Sequence, residues 1–151
     1  MWTPCLMIKK PLLLLGLLFL ISHSAISEIV VKNAWVRAAP AGSKTMAAYM
    51  LIDNQGSQTM SSSKIIANGF ERTELHRSFI DNNIAKMKKL ENISINGNES
   101  LTLEPGGLHL MLINPKKVPI KNSKIEILIF FENENDNEVI RIEAEVRSKE
   151  L

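Results

Sequence analysis

The chain has 151 residues and a formal net charge of +2, which allows one domain and not comfortably two. Its one cysteine is Cys5, so no intrachain disulfide framework is available. With charge so nearly balanced and no basic stripe, a nucleic-acid partner is not expected.

The first segment differs from the rest. Lys9 and Lys10 precede an unbroken apolar run, residues 11–21, and small residues follow at Ala25 and Ser27. Basic, apolar and small segments in that order read as a secretory signal peptide over residues 1–27. The run is shorter than the roughly 20 residues a membrane-spanning helix needs. No stable membrane insertion is expected after cleavage. No cysteine follows the run, which argues against a lipid anchor there. The expected mature domain is 28–151. Removing Lys9 and Lys10 from 18 basic residues leaves 16, against 16 acidic ones. Of the three histidines, His23 leaves with the leader, and only His76 and His109 remain.

From Glu28 onward the sequence predicts strands. Ile29 to Val36 is the first, closed by Ala39-Pro40-Ala41-Gly42, and Thr45 to Ile52 is the second. Met60 to Ala67 is the third, ended by Asn68-Gly69. Arg72 to Ile80 and Ile84 to Lys88 flank the turn cluster Asp81-Asn82-Asn83. Short segments around Ile93–Ile95 and Leu101–Leu103 precede Leu108 to Met111. Lys124 to Phe131 and Glu138 to Val146 form the last pair, with Ile140, Ile142, Ala144 and Val146 on one face. Eight or nine short strands separated by polar turns imply an all-β sandwich or small barrel. Trp35, Phe70, Phe130 and Phe131 are the expected aromatic core, and Met50 and Met60 are expected to fill it. Glu71 and Glu74 are expected as solvated strand residues, with hydrogen bonding to a metal-ligating side chain as the alternative.

One window concentrates soft metal-ligand chemistry. His76 and Met87 are followed by His109 and Met111. His109 and Met111 are two apart on a strand, so both point to one face and Leu110 to the other. If Asp81-Asn82 forms a two-residue loop, His76 and Met87 stand directly opposite across a hairpin. A three-residue loop without a bulge would put Met87 on the wrong face. Two imidazoles and two thioethers make a neutral, soft donor set. Thioethers suit Zn²⁺, Mg²⁺ and Ca²⁺ poorly, whereas Cu(I) favours Met and His. A blue-copper centre would want a cysteine, and residues 28–151 contain none.

The spacing His-x10-Met-x21-His-x-Met resembles that of the periplasmic copper chaperones called PCuAC. The surroundings are similar too: Asn33-Ala34-Trp35-Val36-Arg37, Ala47-Ala48-Tyr49-Met50, Thr73-Glu74-Leu75-His76, and Glu104-Pro105-Gly106-Gly107-Leu108-His109-Leu110-Met111-Leu112. The resemblance implies a cupredoxin-like β-sandwich, with one Cu(I) held by His76, Met87, His109 and Met111. It implies delivery to the CuA centre in apo subunit II of cytochrome c oxidase, alongside a Sco-like thioredoxin-fold protein. The His- and Met-rich tail of some members is missing from the end Arg147-Ser148-Lys149-Glu150-Leu151.

The expected protein is therefore a periplasmic copper carrier and not an enzyme. A copper-scavenging or resistance binder would use the same ligands. A β-sandwich interaction module with incidental His and Met is the remaining alternative.

Overall fold

The computed structural model describes residues 29–148, and the expected signal peptide lies outside them. Ten strands follow in chain order: β1 (Ile29–Arg37), β2 (Thr45–Asn54), β3 (Met60–Ala67), β4 (Phe70–Asp81) and β5 (Ile84–Leu90), then β6 (Ser94–Ile95), β7 (Ser100–Leu103), β8 (Leu108–Pro115), β9 (Lys124–Glu132) and β10 (Asn137–Arg147). The all-β expectation holds. The order across the sheet is β5-β4-β8-β2-β1-β10-β9-β3-β6, with β7 also paired to β2. The β1–β10 pair is parallel and the others are antiparallel. This is a cupredoxin-like sandwich.

Alternation builds the core. On β2, Met46, Ala48, Met50 and Ile52 are buried against Leu110 and Leu112 of β8 and Leu75 of β4. The other half supplies Met60, Ile125, Ile127, Ile129, Phe131, Ala144 and Val146. Met50 and Met60 fill the core as expected, because an unbranched thioether adapts to irregular space. The last strand sorts as its alternation predicts, with Ile142, Ala144 and Val146 buried.

Two aromatic residues depart from expectation. Trp35 is only half-buried and outside the core. Register shifts by one residue between Lys32 and Trp35, where Asn33 takes φ 54°. This bulge puts Trp35 opposite Tyr49, on the outer face shared with Lys32, and leaves Val36 opposite Ala48 in the core. Phe130 also faces outward, beneath Lys64, whose Nζ lies 6.0 Å from the ring centroid. Adjacent residues on a strand cannot both face in, and Phe131 takes the core position at 1 % exposure.

Where the loop after β2 meets the loop after β6, Gly97 approaches another backbone closely. A Cβ there would lie 2.2 Å from both the carbonyl carbon and oxygen of Ser57. Neither atom can move aside without shifting the chain. Gly97→Ala is expected to destabilise the fold by about 3 kcal/mol, at the upper end for overpacking, read as a lower denaturant midpoint with unchanged slope.

Candidate metal centre

The outer face of β5, β4, β8 and β2 gathers the predicted residues. His76 on β4 stands directly across from His109 on β8. Glu74 stands across from Met111, and Met111 across from Ala47 of β2. Directly paired residues share a face, so His76, His109 and Met111 point the same way. Leu110 and Leu112 point into the core with no exposure. The expectation for His109 and Met111 rested on strand parity alone, and it holds.

The hairpin register corrects the expectation for Met87. The two-residue turn is Asn82-Asn83, both with positive φ (51° and 61°), and Asp81 pairs with Ile84. Asparagine tolerates this left-handed conformation, so consecutive asparagines suit a type I′ hairpin turn. Met87 therefore stands across from Ser78, and His76 across from Lys89. The slip is two residues, so parity survives. Met87 keeps the face of His76 but lies on the diagonal, a spacing of roughly 7–8 Å that a long side chain can span.

Met87, His109 and Met111 line one open cleft together with Arg37, Pro40, Ser78 and Gly106. Met46 also reaches this lining, although it is 3 % exposed and packs in the core. His76 does not line the cleft; its ring centroid lies 6.0 Å from that of His109. Behind His109, Tyr49 lies at 6.4 Å and Trp35 stacks on Tyr49 at 4.6 Å. Burial holds the Tyr49 phenol above its ordinary range, and the positive charge of Arg37 opposes that shift.

The imidazoles are oriented by their partners. His109 Nδ1 donates to the Gly107 carbonyl at 3.2 Å, which leaves the Nε2 lone pair available to a ligand-seeking ion. His76 Nε2 lies 3.0 Å from a Glu74 carboxylate oxygen. An ionised carboxylate can only accept, so Nε2 carries a proton, and in the neutral ring Nδ1 keeps its lone pair. His76 Nδ1 is buried without a hydrogen-bond partner, the one such side-chain atom among the described residues. A buried lone pair without a donor is costly unless something fills the position. This orphaned nitrogen and the exposed thioether of Met87 fit a soft cation. Among the described residues no group of three or more His, Cys, Asp or Glu could hold a metal. A metal on this face would depend on the methionine sulfurs.

Glu74 is less solvated than its sequence position suggests. Its side chain is 18 % exposed and accepts from Lys89 at 2.9 Å and from His76. Those two bonds, Lys89's first, hold its carboxyl down at about 2. The signal was the i, i+2 spacing to His76, which puts both on one face. Glu71 turns elsewhere, to Arg72 and Asn114. Tyr49 and Arg37 were not legible as neighbours of the site, because the bulge in β1 aligns that row.

The ten-stranded cupredoxin-like sandwich thus carries two histidines and two methionines on one sheet face, from buried His109 at 4 % exposure to exposed Met87 at 50 %. By sequence the chain belongs to the LpqE-like family: the family model described as "Putative lipoprotein LpqE-like" matches residues 29–144. The one cysteine of this sequence, Cys5, lies ahead of the apolar run and outside the described residues. No curated protein matches the chain. Among solved structures it is similar to the copper-bound PCuAC domain from PmoF2, at TM-score 0.68 and 21% identity over 83% of this chain and 97% of that one. The apo PCuAC domain from PmoF1 gives 0.66 and 20% over 82% and 97%. Apo-DR1885 from Deinococcus radiodurans, a solution structure, gives 0.60 and 21% over 83% of each chain. Identities this low establish a shared fold.

Proposed function

We propose that this protein is an extracytoplasmic copper carrier that binds one Cu(I) through His76, Met87, His109 and Met111. The observation that carries the reading is the convergence of all four on one sheet face, with His76 directly across from His109. The donor chemistry supports Cu(I) over harder ions. The fold shared with PCuAC domains, one of them copper-bound, supports the same reading.

The carrier works by ligand exchange. Neutral imidazole and thioether donors hold the ion without thiolate, at the cleft that Met87, His109 and Met111 line, with His76 beside His109. A recipient with stronger donors takes it, and Cu(I) keeps its oxidation state throughout. No covalent step is needed, so the protein is not an enzyme. We take the recipient to be the CuA site of cytochrome c oxidase subunit II, with a Sco-like thioredoxin-fold protein in the same relay, and the compartment to be the periplasm.

Titration under reducing conditions against a chromophoric Cu(I) chelator is expected to show one equivalent bound. Mixing the loaded protein with a soluble apo-CuA domain is expected to move copper to that domain. Absence of Cu(I) binding would end the copper reading. Tight binding with no transfer would make the protein a scavenger instead.

A further inference from the structure

The β4–β5 hairpin continues past the sandwich and leaves apolar side chains in solvent: Phe79, Ile80, Ile84 and Met87 are all exposed, Ile80 at 77 %. β5 ends the sheet. Its residues from Ile84 to Lys89 are all exposed, with no proline and no break in register. Among the described residues no strand covers its outer edge.

Register sorts the hairpin into two faces. Ile80, Ala85, Met87 and Lys89 share the face of His76, while Arg77, Phe79, Ile84, Lys86 and Lys88 share the other. On that second face Arg77 stands directly across from Lys88. Like charges so placed repel. Lys86 pairs with Asp81 and Lys89 with Glu74. Among the described residues no ion pair includes Arg77 or Lys88. An edge strand that carries Lys88 without a carboxylate partner, with Arg77 behind it on β4 and exposed apolar side chains around both, is a surface built for an anionic, strand-like occupant.

We propose that the free edge of β5 is a docking strand for an acidic extended segment of a partner protein. Its role as the entry point of the copper recipient rests on the carrier reading above; the surface itself does not. An added strand would complete the backbone hydrogen bonds of β5. A carboxylate on one face of that strand would stand beside Lys88, with Arg77 one strand further in. Alternate residues on its other face would arrive beside Met87, the most exposed of the four soft donors. A second copy of this chain is disfavoured, because it would bring Lys86, Lys88 and Lys89 against themselves. A bilayer fits less well, because Asp81, Asn82 and Asn83 lead the tip and would enter ahead of Phe79 and Ile84.

The test is an amide NMR titration of the apo-protein with a capped Glu-Val-Glu-Val-Glu-Val peptide at low salt. Shifts are expected to concentrate in residues 84–90. The double variant Arg77→Glu, Lys88→Glu is expected to bind about tenfold more weakly, and a Lys-for-Glu peptide is expected not to bind. Both substituted side chains are exposed, and the variant's own amide spectrum reports its fold. No binding at millimolar peptide, shifts centred elsewhere, or equal binding by the variant or the cationic peptide would overturn the proposal. So would co-sedimentation with phosphatidylglycerol vesicles that Phe79→Ser, Ile84→Ser abolishes while the acidic peptide leaves β5 unmoved. Cu(I) titration of the same Arg77, Lys88 variant separates the two readings. Loss of peptide binding with one equivalent of Cu(I) retained assigns the edge to docking alone. Failure of the unmodified protein to bind Cu(I) removes the carrier reading and leaves the peptide result to stand by itself.

Discussion

Replacing Met111 by alanine is expected to weaken Cu(I) binding on the order of 100-fold or more, since even residues that only orient metal ligands are worth 10–100-fold. The fold should survive. Met111 is half-buried on the outer face, across from the small Ala47 and the carboxylate of Glu74. Its removal opens no cavity in the core, where Leu110 and Leu112 already occupy the neighbouring positions. Competition titration gives the affinity, and a denaturation curve on the apo-protein gives the stability. If Met111→Ala unfolds the protein and spares affinity in the folded fraction, Met111 is a packing residue and the carrier reading loses a ligand.

Replacing the adjacent Leu110 by alanine is expected to do the reverse. Leu110 has no exposed surface and stands between Leu75 of β4 and Ala48 of β2. Truncating a leucine at such a position costs about 2–5 kcal/mol, because the apolar transfer term is lost and a cavity remains. For a domain of this size the midpoint of thermal unfolding should fall on the order of 10 °C or more. Copper affinity of the folded fraction should change little, since Leu110 faces away from the imidazoles. Two neighbours on one strand are thus expected to separate binding from stability, which only strand parity explains. A loss of affinity in Leu110→Ala as large as in Met111→Ala would mean that β8 does not hold its two faces apart.

Parity was the most legible part of this molecule. The alternation of β8 and β10 could be read letter by letter, because Leu110 and Leu112 on one strand and Ile142, Ala144 and Val146 on the other recur at every second position and take the core. Register was less legible. The turn was expected at Asp81-Asn82 or as a three-residue loop, and the chain instead uses Asn82-Asn83, the pair that both take positive φ. That choice moved Met87 from across His76 to across Ser78 without changing its face. Trp35 shows what a sequence pattern cannot carry: one bulge at Asn33 moves it from the expected core to the site face. Met46 is the converse case, a methionine near the site by lining but in the core by parity. The contact between Glu74 and His76 lay within reach of i, i+2 spacing, whereas its bond to Lys89 depended on the hairpin register. The facing of Arg77 and Lys88 needed the same register, which is why the docking edge could be seen only in the folded chain.

X-ray absorption at the copper edge of the Cu(I)-loaded protein tests the central claim most directly, because it counts the neighbours of the ion by element. Two sulfurs from Met87 and Met111 and two nitrogens from His76 and His109 are expected, with one sulfur lost in Met87→Ala and one nitrogen lost in His76→Ala. A first shell without sulfur, or one unchanged by either substitution, would contradict it and place the metal elsewhere on the chain.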